Sequence, residues 1–263
     1  MKLTFLGTGT SHGIPMIGCH CPVCSSKDPR NRRRRCSLHV EAGDLSMLFD
    51  TPPDLREQAL SCGVERVDAV FITHAHADHI FGFDDLRRYS QMQRRRLPVH
   101  ASAETLRLLE RRFEYVHSEG HSFGAVPWVD FRPMDAPVRL SAGSGEAVVR
   151  PLPVLHGPAQ IYGYRIDADR AAVAYIPDCS GIPDATAALL DDLDVLILDT
   201  LRPEPHPTHF GLEQSLAAAR RLRPRVFCPT HITHHFDHDE LQSRLPEWGV
   251  VPCDGMEVEL PFT

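Results

Sequence analysis

Residues 73–79, Thr-His-Ala-His-Ala-Asp-His, place three imidazoles and one carboxylate within six consecutive positions. These side chains are common protein ligands of zinc and related divalent ions. His74 and His76 lie two positions apart and point to the same side of an extended backbone, whereas Asp78 and His79 turn away as a helix begins. One loop could therefore serve two neighbouring metal ions. We favour this interpretation over that of solvated histidines in a polar loop.

The loop needs a strand before it and a helix after it. Residues 67–72 are β-branched and aromatic, which predicts a buried strand, and residues 80–86 mix apolar and acidic side chains as the first turns of a helix do. We predict further helices at 54–61, 83–93, 103–116 and 212–222, and strands at 3–6 and 97–100. Residues 117–146 are interpreted as loop and edge strand.

Three later apolar runs, at 148–155, 171–176 and 225–230, also deliver residues that can bind a metal. Open α/β sheets place their functional sites at the carboxyl ends of strands. For any one of these residues alone, a capping or packing role is an equal alternative. The repetition predicts that three side chains converge on residues 73–79: His156, Asp178 and His231.

Two further acidic residues follow predicted strands. Residues 45–49 end in Asp50, and two prolines then stop the strand. Because Asp50 lies outside the metal-ligand loop, we interpret it as a carboxylate that orients a ligand histidine. Another apolar run, 194–198, ends in Asp199.

A C-x-C-x-x-C cluster near the start suggests a second metal site. Cys19, Cys21 and Cys24 bring three sulfurs close enough to hold one soft ion, and structural zinc is the natural occupant. Reduced surface thiols are the alternative. A fourth ligand must come from elsewhere, since His20 lies inside the cluster, and residues 231–238 offer additional imidazoles. The other cysteines are predicted to be small buried residues: Cys36, Cys62, Cys179, Cys228 and Cys253.

Length and composition bound the class of protein. A chain of 263 residues with 42% hydrophobic and 24% charged residues is expected to form one globular domain over 1–263. A net charge of -7 argues against a protein that coats nucleic acid, and the arginine runs are short. Neither a signal-peptide core nor an apolar run of about 18 residues is found, so we expect a cytoplasmic protein without membrane association.

The H-x-H-x-D-H pattern and the strand-end residues resemble the metallo-β-lactamase superfamily over essentially the whole chain. This resemblance implies an αββα sandwich of the α/β class, with two mixed sheets between outer helices. The C-x-C-x-x-C cluster and the Thr-His-Ile-x-His run at 230–234 resemble the phosphoribosyl cyclic phosphodiesterase subfamily. The PQQ biosynthesis protein B family carries a similar cysteine cluster.

The resemblance also implies a set of site residues. One of two active-site ions, Mn²⁺ or Zn²⁺, would be held by His74, His76 and His156, the other by Asp78, His79 and His231, and both by Asp178. A separate structural Zn²⁺ would be held by Cys19, Cys21, Cys24 and His234. Among these, Asp78 is counted as catalytic together with His209, which would lie near the leaving group.

We therefore expect hydrolysis of a small cyclic phosphodiester, such as phosphoribosyl 1,2-cyclic phosphate or a 2′,3′-cyclic nucleotide, by hydroxide activated at two metal ions. The alternatives are a tRNase Z-like or other nuclease, a thioester or lactam hydrolase, and a metal-binding accessory protein like PQQ biosynthesis protein B. The chain has no long glycine- and lysine-rich insertion of the kind that tRNA-processing relatives use, so no stable nucleic-acid complex is expected. The resemblance suggests a homodimer.

Overall fold

The computed structural model describes residues 1–117 and 125–261 of the chain. In these ranges two mixed β-sheets lie between outer helices, which confirms the predicted αββα sandwich. The strands are β1 (Lys2–Gly7), β2 (Ser37–Ala42), β3 (Leu45–Phe49), β4 (Ala69–Phe71), β5 (Leu97–Ala101), β6 (Val129–Pro133), β7 (Val138–Ala142), β8 (Gly145–His156), β9 (Ala159–Ala168), β10 (Ala171–Ile176), β11 (Val195–Asp199), β12 (Val226–Thr230) and β13 (Glu257–Glu259). The α-helices are α1 (Leu55–Cys62), α2 (Ala77–Ile80), α3 (Leu86–Gln93), α4 (Ala103–Arg112), α5 (Asp184–Ala187), α6 (Leu212–Leu222) and α7 (His238–Arg244).

The order and direction of the strands bring the carboxyl ends of the strands that precede the predicted metal ligands to one edge of the two sheets. The first sheet runs β13-β1-β2-β3-β4-β5-β6, and its strands β3, β4, β5 and β6 are parallel. The second runs β12-β11-β10-β9-β8-β7, with β10, β11 and β12 parallel. Because β8 is antiparallel to β9, and β9 to β10, strand β8 runs in the same direction as β10. The loops after β4, β8, β10 and β12 are the ones predicted to carry metal ligands.

The sheets pack face to face through a core of aromatic and aliphatic side chains. Phe49 stacks on Phe71 at 5.0 Å between ring centroids, and Tyr164 of the opposite sheet lies 5.7 Å and 5.4 Å from these two rings. The Tyr164 hydroxyl donates to the carbonyl of Ile72, directly before the metal-ligand loop. A buried tyrosine with a satisfied hydroxyl combines a large apolar contact with a directional one. Packing between the sheets thus fixes the start of that loop.

The outer faces of the sheets are covered by amphipathic helices. Leu86 of α3 and Leu106 of α4 are buried against the first sheet, and Leu212 and Leu216 of α6 against the second. Among the described residues, no helix has both the length and the apolar character required to cross a membrane.

Several predicted boundaries were wrong. Helix α4 ends at Arg112 instead of 116, and a 3₁₀ turn follows over Glu114–His117. The interpretation of 117–146 as loop and edge strand agrees with the described residues 125–146, where β6 and β7 are edge strands of the two sheets and β8 begins at Gly145, whereas 118–124 fall outside the described residues. Strand β9 and helix α7 were not predicted. Strand β9 passes so close to β10 that a Cβ at Gly163 would lie 2.9 Å from the carbonyl oxygen of Tyr175, so its glycine marks a close approach.

A buried imidazole in β5 should make stability depend on pH. His100 is 2% exposed, stacks on Phe71 and has no hydrogen-bond partner for either ring nitrogen. Burial, assisted by Arg132 and opposed by Asp130, lowers the pKa of His100 from 6.5 to about 4. The unfolded chain therefore takes up this proton at higher pH than the folded chain does. The stabilising contribution is complete above pH 6.5 and is lost as pH falls towards 4.

We expect His100→Leu to remove this dependence. Between pH 7 and pH 5 the free energy of unfolding should fall by about 1 to 2 kcal/mol more in the unchanged protein than in the variant. Urea unfolding of both proteins at the two pH values measures the difference, and any acid effect on bound metal is common to both. Parallel loss of stability in the two proteins would show that His100 is not the group responsible.

Candidate metal centre

The predicted ligands of the active-site ions come together at the shared edge of the two sheets. They form two groups, and within each group one donor atom per residue lies within 4.8 Å of the others. The first group is His74, His76, His156 and Asp178, and the second is Asp78, His79 and His231. Side chains far apart in sequence therefore meet as the strand-end pattern predicts.

The Asp178 carboxylate lies between the two groups. Its Oδ2 is 3.7 Å from Nε2 of His74 and 3.9 Å from Nε2 of His156. Its Oδ1 is 3.2 Å from Nε2 of His79 and 3.6 Å from Nε2 of His231. One oxygen thus faces each group, which is the arrangement that a bridging carboxylate between two cations requires.

The donor atoms fit divalent cations. Nε2 of His79 and Oδ1 of Asp178 are buried without a hydrogen-bond partner. Nε2 of His74 lies 2.8 Å from Nδ1 of His76, so two imidazole nitrogens also converge. Buried polar atoms in proteins are normally paired, and imidazole with carboxylate is a donor set that suits zinc and manganese.

Charge within the cluster is consistent with this interpretation. Burial favours the neutral form of Asp178, but His231 and His79 hold its pKa well below the usual range. Burial likewise opposes protonation of His79, yet Asp178, Asp78 and Asp50 raise the pKa of that imidazole well above its usual range. The buried Asp178 carboxylate is thus kept ionised by neighbouring positive charge, which is the charge that bound cations would also provide.

Hydrogen bonds on the far side of the imidazoles fix their orientation. Asp50, predicted to orient a ligand, accepts from Nδ1 of His79 at 2.8 Å. The Thr73 hydroxyl donates to Asp50 at 2.9 Å, so its oxygen accepts from Nδ1 of His74 at 3.0 Å. The carbonyl of Thr208 accepts from Nδ1 of His156 at 2.7 Å. In each case the remaining nitrogen is directed to the centre, as in metal sites generally.

A histidine with a carboxylate partner lies beside the cluster. Nδ1 of His209 is 2.7 Å from Oδ2 of Asp199, and its ring stacks on His231 at 4.8 Å and 11°. Asp199 also accepts from the Cys179 backbone N–H at 2.9 Å. Because Nδ1 is engaged, Nε2 of His209 is the nitrogen available to a substrate. The pairing with Asp199 was not predicted, although its position at the end of a buried strand was a signal shared with Asp50.

The predicted structural zinc site is also assembled. Nδ1 of His234 lies 3.3 Å from Sγ of Cys19, 3.4 Å from Sγ of Cys21 and 3.7 Å from Sγ of Cys24. The backbone N–H of Cys24 donates to Cys21 and is the main cause that lowers the pKa of that thiol to about 6. His20, the unused histidine of the cluster, is exposed. Four donors at these distances suit a tetrahedral zinc ion.

The other cysteines follow the prediction in part. Three are buried, Cys36, Cys179 and Cys228, whereas Cys62 and Cys253 are only partly buried. Cys62 ends helix α1 and Cys253 lies in the loop before β13, and both positions are close to solvent. The prediction that all five are buried was therefore wrong for these two.

Cys24→Ser should release one zinc ion per chain and lower the melting temperature by more than about 5 °C, since structural zinc contributes folding energy directly. The site joins residues 19–24 to the segment that carries His231. Elemental analysis and thermal denaturation measure the two effects, with Cys62→Ser as a control at a partly exposed cysteine elsewhere. An unchanged zinc content and melting temperature in Cys24→Ser would exclude a zinc site there.

Comparison with known proteins places this geometry in a family. The sequence model of the family described as "Beta-lactamase superfamily domain" matches residues 46–232. The chain belongs to the metallo-β-lactamase superfamily. The first curated relative is an octanoyltransferase of Porphyromonas gingivalis, 33% identical over 263 residues, covering 98% of this chain and 51% of that protein. The chain thus spans about half the length of this relative. Coenzyme PQQ synthesis protein B of Xanthomonas axonopodis is 25% identical over 243 residues, covering 81% of this chain and 78% of that one.

Solved structures of the superfamily extend the comparison. A crystal structure described as a new diphosphatase from the PhnP family is 39% identical, with a TM-score of 0.88 and coverage of 99% of this chain and 98% of that one. Zinc-bound PqqB from Methylobacterium extorquens has a TM-score of 0.81 at 19% identity, covering 99% and 100% of the two chains. The short form of human tRNase Z has a TM-score of 0.70 at 18% identity, covering 100% of each chain. The last two show the shared fold. The predicted resemblance to the superfamily and to its PhnP-like members is confirmed.

Proposed function

We propose that this chain is a metal-dependent hydrolase, namely a phosphodiesterase that cleaves a small cyclic phosphodiester. Phosphoribosyl 1,2-cyclic phosphate and 2′,3′-cyclic nucleotides represent the substrate class. The observation that carries the proposal is the Asp178 carboxylate facing two donor groups, with the His209–Asp199 pair beside it. The 39% identity to a PhnP-family diphosphatase supports chemistry at phosphorus.

Seven side chains would hold the two Mn²⁺ or Zn²⁺ ions: His74, His76, Asp78, His79, His156, Asp178 and His231. When bound, such a pair supplies Lewis-acid polarisation of the phosphoryl group and lowers the pKa of water towards 7. Asp50, Thr73 and Thr208 keep the imidazoles aligned, so little reorganisation is required on binding.

His209 would supply the proton that the departing alkoxide needs. Hydrolysis forms one new P–O bond from water and breaks the P–O bond to the ring oxygen of the substrate. The proton on Nε2 of His209 passes to that ring oxygen, and the proton released by water restores the imidazolium. Asp199 accepts from Nδ1 throughout, which fixes the orientation of the ring and stabilises its charged form.

Acyl transfer is less consistent with the site. The name octanoyltransferase belongs to a relative of which this chain covers 51%. Cys36 and Cys179, two thiols that interact electrostatically with Asp178, are fully buried, and burial raises the pKa of both far above the range in which thiolates form. Neither is suited to act as an acyl-accepting nucleophile.

The proposal includes three further predictions about what the protein binds. These are a structural zinc at the cysteine cluster, a small substrate without stable nucleic-acid binding, and a second copy of the chain in a homodimer. A net charge of -7 supports the absence of a nucleic-acid complex. The zinc would stabilise the segment that carries His231.

A pair of chromogenic esters tests the reaction class. Protein loaded with Mn²⁺ or Zn²⁺ should hydrolyse bis(p-nitrophenyl) phosphate much faster than p-nitrophenyl octanoate, and Asp178→Asn should lose the diesterase activity. Faster hydrolysis of the carboxylic ester would favour a thioester or acyl hydrolase. Metal binding without hydrolysis of either ester would favour an accessory role like that of the PQQ protein.

A further inference from the structure

Two thiols of the cysteine cluster, which consists of Cys19, Cys21 and Cys24, are placed for a disulfide bond. The Ser25 N–H donates to the carbonyl of Cys21 at 2.9 Å, so the chain forms one helical turn from Cys21 onwards. Bridged cysteines normally have Cα atoms about 4.4 to 6.8 Å apart, which residues on one helical turn satisfy. The three sulfurs and one ring nitrogen of His234 all lie within 4.8 Å of one another. Cys21 and Cys24 can therefore be joined with only a local adjustment of this turn.

The cluster is accessible to small oxidants. Its three cysteines are partly exposed, whereas three of the other cysteines are buried. Cys62 and Cys253 are also partly exposed, but neither belongs to a group of potential metal ligands in the described part of the chain. Cysteines that bind zinc do so as thiolates, and the thiolate is the form that peroxides attack when they can reach it. We therefore expect a peroxide to react at the cluster before it reacts with the buried thiols.

His231, a predicted ligand of the metal centre, has an unfavourable backbone conformation close to this cluster. Its φ is 58°, in the left-handed region that residues other than glycine rarely adopt. Such a conformation persists only where the surrounding structure fixes it. The N–H of Ile232 donates to the carbonyl of Thr8 at 3.0 Å, and two residues further on His234 belongs to the zinc-binding set. A bound His234 is therefore one of the anchors that hold His231 in place.

We propose that the cysteine cluster is a redox switch of the metal centre. Oxidation of Cys21 and Cys24 to a disulfide would release the structural zinc, free His234 and allow His231 to leave its unfavourable conformation. The second donor group would then lose a ligand and bind its ion more weakly. The inference extends the proposed function to its regulation, and it rests on that function only where hydrolysis is measured.

The oxidation can be written with hydrogen peroxide as the oxidant. One thiolate sulfur attacks a peroxide oxygen, which breaks the O–O bond and gives a sulfenic acid and a hydroxide ion. The neighbouring thiolate then attacks this sulfur, forms the S–S bond and displaces a second hydroxide ion. The two sulfurs together lose two electrons, and the O–O bond gains them. Cys19 and His234 alone provide two of the four ligands that a structural zinc site requires, so the ion is no longer held.

The test uses protein with zinc at the cysteine cluster and Mn²⁺ at the metal centre. Treatment with hydrogen peroxide should release one zinc ion per chain and give a Cys21–Cys24 peptide that is lighter by two hydrogen atoms. The Kd for Mn²⁺ should rise about 10- to 100-fold, the usual cost of losing the support of a metal ligand. Hydrolysis of bis(p-nitrophenyl) phosphate should fall in parallel. Dithiothreitol together with Zn²⁺ should reverse all four changes.

Two variants serve as controls. Cys24→His keeps four zinc donors, as a Cys₂His₂ set, but lacks the pair of thiols on one turn. It should retain its zinc under peroxide conditions that empty the unchanged protein. Cys62→Ser removes a partly exposed thiol outside the cluster and should respond to peroxide as the unchanged protein does. The mapped disulfide of the unchanged protein identifies the pair of cysteines without relying on either variant.

Each outcome decides the proposal. Retention of zinc and free thiols in the peroxide-treated protein would overturn it, and so would a disulfide that dithiothreitol and Zn²⁺ fail to reverse. Loss of zinc with an unchanged Kd for Mn²⁺ would show that the cluster does not act on the metal centre. Absence of phosphodiester hydrolysis before oxidation would reject the proposed function, whereas the zinc content, the disulfide and the Kd for Mn²⁺ would still decide the switch.

Discussion

Asp178→Ala should abolish phosphodiester hydrolysis, with kcat falling by at least about 10³-fold. The two oxygens of this carboxylate face different donor groups, so the substitution removes one ligand from both at once. Metal ions stabilise a phosphoryl transition state by several kcal/mol, and a loss of about 4 kcal/mol corresponds to that factor. Activity on bis(p-nitrophenyl) phosphate and metal content per chain are the two measurements.

The same variant should keep its structural zinc. Elemental analysis should therefore show a decrease from three ions per chain to one. In thermal denaturation the variant should still melt as a folded protein, because the zinc at the cysteine cluster is retained. Asp184→Ala, at a carboxylate that is 95% exposed, is the matched control and should retain all ions and activity. Full activity of Asp178→Ala with an unchanged metal content would contradict the shared-ligand interpretation.

His209→Ala should lower the rate of hydrolysis most for substrates whose leaving group needs a proton. For an alkyl or sugar leaving group we expect a loss of about 10² to 10⁴-fold, the usual contribution of general acid catalysis. For p-nitrophenolate, which departs without protonation, the loss should be far smaller. The physical reason is that Nδ1 of His209 is held by Asp199 while Nε2 remains available to the substrate.

The comparison needs one cyclic phosphate and one p-nitrophenyl diester, measured as kcat under saturating metal. Asp199→Asn should give a smaller change of the same kind, because the amide still accepts from His209 but no longer stabilises its charge. His12→Ala, at an exposed histidine, is the control. Equal losses on both substrates in His209→Ala would indicate that the histidine serves binding or packing and not proton donation.

The strand ends were the predictable part of this molecule. His156, Asp178 and His231 each follow an apolar run, and parallel strands must bring their carboxyl ends to one edge, so their convergence follows from local pattern and sheet geometry. Asp50 could be found in the same way. The division of Asp178 between two groups was implied only by the family resemblance and not by the strand-end pattern, because it depends on the distance and rotation between two packed sheets.

Contacts between loops that are distant in sequence could not be predicted from local patterns either. Asp199 ends a strand as Asp50 does, but its pairing with His209 depends on how the loop at 202–210 folds back through the Leu201–Phe210 hydrogen bond. Strand β9 combines charged residues with a glycine that packs against β10, which obscures the alternation of a strand. Helix α7 has seven residues, few of them apolar, and it begins at an Asp237 cap rather than with a periodic hydrophobic face.

The central claim is that the substrate is a small cyclic phosphodiester. A nuclease that holds structured RNA needs phosphate contacts far from the scissile bond, whereas this chain has a net charge of -7. The most direct measurement is kcat/KM of the metal-loaded protein for ribose 1,2-cyclic phosphates and 2′,3′-cyclic nucleotides against kcat/KM for a precursor tRNA under the same salt conditions. We predict a higher value for a cyclic phosphate. A higher value for the precursor tRNA would contradict the account and identify the protein as a nuclease.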